Sequence, residues 1–169
     1  MWNETTMSKF RHAAGFGKRI EYSLISEMLM EGMDVYVPLV DDNGIDAVVR
    51  KPDGSFVEVQ IKARSAEVNP GDEALFAGIV HEHRKNYWFV FYAEGVREGV
   101  DSPSAVPMKW VMSSQEFLDE SYENKKGKNK GSHTIWFNGR CKGVSYAKPK
   151  FDKYRVERLA ARILGEVPS

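Results

Sequence analysis

A chain of 169 residues, 42% of them hydrophobic, can bury one sizeable core and is short for two, so we expect a single domain over residues 1–169. The one cysteine, Cys141, excludes an internal disulfide framework, and the first residues lack the apolar run of a signal peptide, which favours an intracellular, cytoplasmic protein. No stretch approaches the roughly 20 apolar residues needed to span a bilayer, so we expect no membrane segment.

The formal net charge of zero hides a segregation of charge along the chain. Residues 125–162 contain twelve Lys or Arg against Asp152 and Glu157, whereas residues 1–124 are net acidic. A basic C-terminal third of this kind suits a surface that contacts a polyanion. An even spread of these charges over the folded surface is the alternative.

Five apolar residues recur at helical spacing between residues 17 and 32: Ile20, Leu24, Ile25, Met28 and Leu29. This spacing predicts an amphipathic helix, with Gly32 as its stop. Glu21 lies beside the apolar stripe, where a carboxylate needs a partner or a cation. Two interpretations of Glu21 stay open here: an ion pair with Lys18 or Arg19, or a functional carboxylate.

Residues 34–40 predict a strand that lies at a sheet edge or ends at Pro38, followed by a turn over residues 41–44. The turn residues Asp41 and Asp42 also compete as cation ligands, although turns commonly use such residues for hydrogen bonds.

The next segment, residues 44–62, predicts a β-hairpin with one apolar and one polar face. Apolar residues alternate there with polar ones: Val57, Val59 and Ile61 with Glu58, Gln60 and Lys62. The link Pro52-Asp53-Gly54 suits a three-residue hairpin loop. That loop sets Lys51 opposite Ser55 and therefore Asp46 opposite Gln60 on one face. Opposed Cβ atoms are about 5 Å apart, which lets Asp46 and a neighbouring group share one cation.

A strand aspartate, a hairpin and then acid-X-Lys is the motif of the PD-(D/E)XK nuclease superfamily, which this chain resembles through Asp46 and Gln60-Ile61-Lys62. Gln60 stands where the family usually has an acid, as in those members that carry glutamine there. The resemblance covers roughly residues 17–92. It implies an α/β fold in one domain, with a mixed central sheet flanked by helices, of the restriction-endonuclease-like or Holliday-resolvase-like type.

The resemblance also implies a metal-dependent DNA endonuclease that hydrolyses phosphodiester bonds with Mg²⁺ or Mn²⁺. The implied ligands are the Asp46 carboxylate, the Gln60 amide oxygen, the Ile61 carbonyl and the helix glutamate Glu21. Lys62 would orient or help deprotonate the attacking water and offset charge on the phosphate. Because Gln60 removes one negative charge, Glu21 or Glu58 is expected to compensate, and Glu58 is therefore a further candidate catalytic residue.

The middle of the chain predicts a break at residues 70–72, a short helix over residues 73–80 and a buried strand over residues 87–92. The intervening His81-Glu82-His83 lacks a third ligand at zinc-like spacing, so no zinc site is expected. A strand over residues 108–112 precedes a helix that Ser113 or Ser114 caps.

Toward the C-terminus, residues 124–132 predict a basic loop, residues 133–137 a strand closed by an Asn138-Gly139 turn, and residues 152–165 a last helix. The candidate nucleic-acid-binding residues are Lys125, Lys126, Lys128, Lys130, Arg140, Lys142, Lys148 and Lys150.

The expected partner is nucleic acid, in the form of double-stranded or branched DNA. A homodimer is a further expectation, because many endonucleases that cut both strands act as dimers. Two alternatives come from other classes of function. A non-catalytic DNA-binding domain on the same fold would keep the basic third and tolerate loss of Asp46, and a partner-binding accessory protein would need neither.

Overall fold

The computed structural model describes the backbone of residues 4–40 and 43–165, with side chains from residue 12 onward. In these ranges the helices are α1 (Glu4–Met30), α2 (Ser114–Glu120), α3 (Ala160–Ile163) and a 3₁₀ helix (Pro149–Tyr154). The strands are β1 (Asp34–Tyr36), β2 (Ala47–Arg50), β3 (Phe56–Arg64), β4 (Leu75–Ile79), β5 (Tyr87–Val96), β6 (Val106–Ser113), β7 (Tyr122–Glu123), β8 (His133–Trp136), β9 (Asn138–Cys141) and β10 (Val144–Ala147).

A five-stranded sheet in the order β1-β2-β3-β5-β6 forms the centre of the molecule. Its neighbours are antiparallel except β3 and β5, which run parallel, so the sheet is mixed. Helices α1 and α3 supply residues to the core on one face, here called the helix face. The other, aromatic face packs Phe89, Phe91 and Trp110 beneath α2, the 3₁₀ helix and a second sheet, β4-β8-β7. The predicted α/β fold with a mixed central sheet and flanking helices is confirmed.

The first helix is longer than its apolar spacing predicts, because α1 begins at Glu4 rather than near residue 17. The predicted stop at Gly32 is confirmed. Gly32 takes a φ of +84°, and the N–H of Met33 returns to the carbonyl of Met28 at 3.0 Å. This left-handed residue satisfies the last helical carbonyls and sends the chain into β1.

The predicted hairpin of residues 44–62 is also confirmed, in the predicted register. Ala47 pairs with Val59, and the loop closes with a hydrogen bond from the N–H of Lys51 to the carbonyl of Ser55 at 2.7 Å. Gly54 takes a φ of +83° in this loop, as the turn requires. On the other side of β2, the strand predicted over residues 34–40 is the three-residue edge strand β1, which ends before Pro38.

Three predictions of local structure were wrong. Residues 75–79 form strand β4 instead of a helix, since Phe76 and Ile79 enter the aromatic core and β4 pairs with β8. Asn138-Gly139 lies inside β9, and the turn occurs at Lys142-Gly143, where both residues have positive φ.

The last predicted helix is divided into the 3₁₀ helix and the short α3. The backbone N–H groups of Leu159 and Ala160 donate to the Glu31 carboxylate at 2.9 and 2.7 Å, which gives α3 a separate start. None of the helices among residues 4–40 and 43–165 combines the length and the apolar character that a membrane span needs.

Candidate active site

Asp46 stands at a bend one residue before β2 and is almost buried, with 8% of its surface exposed. Its backbone N–H donates to the carbonyl of Val59 at 2.9 Å, and its Oδ2 accepts the backbone N–H of Ile61 at 2.6 Å. Strand N–H groups point within the plane of the sheet. The carboxylate therefore takes the position, beside β3, where a further residue of β2 would have placed its carbonyl.

The carbonyl of Ile61 points toward the same place. In a strand, the N–H and C=O of one residue point to the same neighbouring strand. Because the N–H of Ile61 meets the Asp46 side chain, the Ile61 carbonyl is directed to the Asp46 side as well, past the last residue that pairs with β2. A carboxylate and a backbone carbonyl thus lie side by side at this end of the hairpin.

Gln60 extends from β3 onto the aromatic face, next to the buried Tyr87 of β5 and the turn residue Gly44. The Tyr87 hydroxyl lies 2.5 Å from the carbonyl of Gly44, to which it donates, and 3.2 Å from the Gln60 Oε1. Gly44 has a φ of +65°, and a Cβ there would lie 2.4 Å from the Gln60 Nε2. A side chain at residue 44 would therefore be strained by the positive φ and would displace the Gln60 amide, which lies against the turn and Tyr87.

Lys62 follows two residues later on the same face and is half-buried. Among the residues that the structure describes, its ammonium group has no ion-pair or hydrogen-bond partner. A partly desolvated cation without a protein partner favours an anionic ligand. This is the arrangement expected of a lysine that contacts a phosphate or a water molecule at a neighbouring cation.

Glu58 lies two residues before Gln60, but its carboxylate forms an ion pair with Arg84. Arg84 also donates to the carbonyl of Asn43 at 3.0 Å, and its guanidinium lies 4.4 Å from the centre of the Tyr87 ring. Glu58 therefore fixes Arg84 beside the turn and Tyr87. The structure brings Glu58 to the predicted face while giving its carboxylate a protein partner.

Glu21 is on α1, which packs on the helix face, and its carboxylate binds the Lys18 ammonium at 2.8 Å. Of the two interpretations of Glu21, the structure shows the ion pair with Lys18. The hydrogen bond to Glu21 is the largest influence that raises the pKa of Lys18, and the charge of Asp46 contributes in the same direction. Lys18 therefore lies within electrostatic range of both carboxylates.

These residues fit a hard divalent cation. The candidate ligands, namely the Asp46 carboxylate, the Gln60 amide and the Ile61 carbonyl, all offer oxygen atoms, which Mg²⁺ and Mn²⁺ accept. In the described part of the chain, no group of three or more His, Cys, Asp or Glu side chains is arranged to hold a metal. A cation at Asp46 would therefore depend on Gln60 and the Ile61 carbonyl. Asp41 and Asp42, the competing ligands, lie outside the described residues.

A groove of about 560 Å³ opens beside Gln60, between the turn at Gly44 and residues 80–87. His81 lies in its wall, where burial and then the charge of Arg84 lower the pKa of the imidazole to about 4. Its Nε2 is 2.7 Å from the Ser114 hydroxyl, and its ring packs on Phe89 at 4.8 Å. His81 is thus a neutral structural residue of the groove.

The candidate nucleic-acid-binding residues are divided between two hairpins and the start of the 3₁₀ helix. The lysine loop, defined as residues 124–132, connects β7 and β8, and its four lysines are exposed. Arg140 and Lys142 lie on the β9–β10 hairpin. Lys148 and Lys150 lie just before and within the 3₁₀ helix, and Lys150 is 3.8 Å from Glu120.

Two residues near Gln60, Arg84 and Tyr87, are not predicted as site residues from the sequence. Lys18 is predicted as a possible partner for Glu21, three residues along α1, and not as a charge near Asp46. Tyr87 and Arg84 approach Gln60 only because β5 pairs with β3 in parallel, with Glu58 opposite Tyr87. No local pattern indicates that pairing.

Comparison with known proteins finds no matching family model, and no curated protein matches the chain. A similar solved structure is titled "The structure of a bacterial homing endonuclease: I-Ssp6803I"; the identity is 19%, the TM-score 0.49, and the match covers 82% of this chain and 85% of that one. A likeness this distant assigns neither a family nor an activity to this chain, whose chemistry has to be argued from its own residues.

Proposed function

We propose that this protein is a metal-dependent DNA endonuclease, a hydrolase of phosphodiester bonds of the PD-(D/E)XK type. The observation that carries the proposal is the presence of two unlike groups at one end of the motif hairpin, defined as residues 44–62. The Asp46 carboxylate is fixed at 2.6 Å from the N–H of Ile61, and the Lys62 ammonium, on the next residue, has no partner among the described residues. Such a pair serves a cation and an anionic substrate at once.

The cation proposed here is Mg²⁺ or Mn²⁺, held by Asp46, the Gln60 amide oxygen and the Ile61 carbonyl, with Glu21 added once it leaves Lys18. When bound, it would supply Lewis-acid stabilisation of the phosphate and an acidified water. Asp46 is the ligand that the chain positions best, because a backbone N–H fixes its carboxylate. Gln60 owes its position to Gly44 and Tyr87.

The chain's own contribution to the chemistry comes mainly from Lys62. In this proposal its ammonium orients the attacking water and offsets negative charge that grows on the phosphate. Glu58 acts indirectly in this proposal, since it fixes Arg84 against the Tyr87 ring that contacts Gln60.

The proposed substrate is double-stranded or branched DNA. Lysines of the exposed lysine loop and basic residues of the β9–β10 hairpin supply phosphate contacts, which position DNA without reading its sequence. A homodimer would place two such sites on opposite strands, and this oligomeric state is part of the proposal.

The experiment is cleavage of supercoiled plasmid with and without Mg²⁺ or Mn²⁺, comparing wild type with Asp46→Asn and Lys62→Met. We expect metal-dependent nicking. Asp46→Asn should lower the nicking rate at least about 1,000-fold, because a bound metal lowers the activation barrier by several kcal/mol. For Lys62→Met we expect a loss of about 100-fold or more.

The same hairpin offers matched controls in Asp53→Asn and Lys51→Met. These variants also neutralise one aspartate and one lysine, but at the hairpin loop and away from the site. Both should cleave like wild type. Equal cleavage by wild type and Asp46→Asn would contradict the proposed site. Salt-dependent DNA binding without any cleavage would instead assign the alternative function, a non-catalytic DNA-binding domain.

A further inference from the structure

A second concave surface lies away from Asp46, at the far end of the sheet β4-β8-β7. This Trp136 pocket has a volume of about 410 Å³, and its walls include Pro70, Gly71, Asp72, Trp136, Arg140 and Lys148. It combines an accessible aromatic ring with two cationic side chains. Neither the cation site nor the Gln60 groove includes any of these residues.

The ring of Trp136 is held in one orientation while 38% of the residue stays exposed. Its indole N–H donates to the Asn138 Oδ1 at 2.9 Å and to the carbonyl of Gly71 at 3.0 Å. An exposed tryptophan with its N–H satisfied by the protein presents a rigid apolar surface. Binding a flat ligand on it costs little side-chain entropy.

A buried polar network keeps Asn138 in place beneath this ring. Its Nδ2 donates to the carbonyl of Gly71 at 3.1 Å and to the Glu73 carboxylate at 3.3 Å, and its Oδ1 accepts the N–H of Ala74 at 3.0 Å. Burial alone would raise the pKa of Glu73, but hydrogen bonds, the largest from the Ser145 hydroxyl, outweigh it and lower this pKa. The acceptors that hold Trp136 are therefore fixed by the fold.

One cation of the pocket, the Lys148 ammonium, lies over the Trp136 ring, and a second, Arg140, lines the same pocket. The Lys148 ammonium is 5.4 Å from the centre of the Trp136 ring and donates to the Trp136 carbonyl at 2.9 Å. Arg140 is exposed on β9. Asp72 is the acid among the lining residues, so an anionic group is favoured on the side of Arg140 and Lys148.

We propose that the Trp136 pocket binds an unpaired nucleobase, stacked on the indole, with a flanking phosphate held by Arg140 and Lys148. Every base has a π-face that can stack on an aromatic ring, whereas bases within a duplex already stack on each other. The ligand is therefore a single-stranded or unpaired segment of nucleic acid. The inference deepens the proposed function, on which it rests for the assumption that this protein's substrate is DNA.

The pocket is connected to the candidate active site through β3. Arg64, two residues beyond Lys62 on the same face, donates to the carbonyl of Leu75, and Leu75 pairs with Trp136. Two residues span about 6.6 Å along a strand. A nucleic-acid strand at Lys62 thus has the Trp136 pocket within a few nucleotides of its path.

The test is binding of fluorescently labelled single-stranded oligothymidylate of eight nucleotides, measured by anisotropy without metal, in the Asp46→Asn background. Stacking of one base predicts at least about 5-fold weaker binding for Trp136→Ala and a smaller loss for Trp136→Phe, which keeps a ring. Trp88→Phe is the tryptophan control. Arg140→Gln and Lys148→Gln leave the indole in place, so they test the pocket even if a Trp136 variant unfolds.

Because the two cations share one phosphate, the double variant Arg140→Gln/Lys148→Gln should reduce the magnitude of the slope of log affinity against log salt by about 0.7, whereas Lys51→Gln should not change it. Equal binding by wild type, Trp136→Ala and the charge variants would overturn the inference, as would thymidine monophosphate binding as tightly as the oligonucleotide. Failure of this test leaves metal-dependent plasmid cleavage intact, and failure of cleavage leaves oligonucleotide binding intact, so the two outcomes are separable.

Discussion

Two charged regions of this molecule use their charges in opposite ways. At the end of the motif hairpin, Asp46 is fixed by a backbone N–H, and Lys62 has no partner within the described residues. Around α2 and the 3₁₀ helix, basic side chains meet carboxylates: Arg162 binds Glu116 at 2.6 Å and Lys153 binds Glu120 at 2.9 Å. In the proposed function the first set of charges serves a ligand, whereas the second set forms ion pairs within the protein.

The difference also changes how the basic C-terminal third should be interpreted. Lys150 and Lys153 both lie near Glu120, and Arg155 binds Glu98 at 2.8 Å. Part of the positive charge counted along the sequence is therefore neutralised by acids from earlier segments. The exposed positive charge that remains is concentrated in the lysine loop and the β9–β10 hairpin, and these are the surfaces we expect to contact phosphates.

Among the changes that test this comparison, we expect Arg162→Met to have the largest effect, a loss of folding stability. Both oxygens of Glu116 accept from Arg162, and Glu116 also completes the capping box with Ser113 at the start of α2. Removing the guanidinium leaves this carboxylate partly buried without its cation, so we expect a loss of about 1–3 kcal/mol in the free energy of unfolding. Urea denaturation measures it.

The folded Arg162→Met variant should still cleave DNA at the wild-type rate, the reverse of the pattern expected for Asp46→Asn. Lys153→Met is the matched control. Its ammonium group is exposed, so its removal should change stability less than Arg162→Met does. A loss of cleavage in folded Arg162→Met would break the division between structural and ligand-directed charges.

A smaller effect is expected from pH, through His81. Burial lowers the pKa of this imidazole from 6.5 to about 4, so between these pH values the unfolded chain binds a proton that the folded chain does not. The contribution of neutral His81 is complete above pH 6.5 and is lost as the pH falls toward 4. Because the ring is only half-buried, we expect about 1 kcal/mol between pH 7 and pH 5.

Urea denaturation at pH 7, 6 and 5 measures this loss as the difference between wild type and His81→Gln, which should have the flatter profile. His83→Gln, which changes an exposed neighbour, should follow the wild-type profile. Parallel profiles for wild type and His81→Gln would show that the groove does not exclude the charged imidazole.

The smallest effect is expected from Lys18→Gln, in cation affinity. The Lys18 ammonium occupies Glu21, so a divalent cation that uses Glu21 has to displace it. An exposed ion pair contributes up to about 1 kcal/mol, so its removal in Lys18→Gln should tighten Mn²⁺ binding by up to about 5-fold. Titration calorimetry measures this affinity. Arg19→Gln on the same helix is the control. Weaker binding by Lys18→Gln would mean that Lys18 supports the site instead of competing for it.

Where the sequence predicted the structure well, the determinants are close together along the chain. The loop at Asp53-Gly54 and the alternation that follows define the motif hairpin and its register, and Ser113 with Glu116 defines the start of α2. What the alternation misses is the bend at Asp46, which turns its carboxylate into the plane of the sheet toward the N–H of Ile61.

Where prediction failed, the deciding contacts are distant. Residues 75–79 become a strand because β8, far later in the chain, pairs with them through pairs such as Phe76 with Ile135. Asn138 resembles a turn residue, but its side chain is buried between Glu73 and Ser145. The last helix starts late because Glu31 of an early segment binds the backbone at Leu159. Local propensity gives way to tertiary contacts in all three cases.

The cover of the aromatic face has a consequence for how the chain is made. Strands β1 to β6 are complete once Ser113 has been synthesised, whereas Phe137, Phe151 and Tyr154, which bury Phe89 and its neighbours, come later. At a translation rate of about 5–20 residues per second, the nascent sheet exposes this aromatic face for about 2–8 seconds. A polypeptide truncated before Phe137 would therefore leave the aromatic face of the sheet exposed and prone to aggregation, whereas the full chain covers this face.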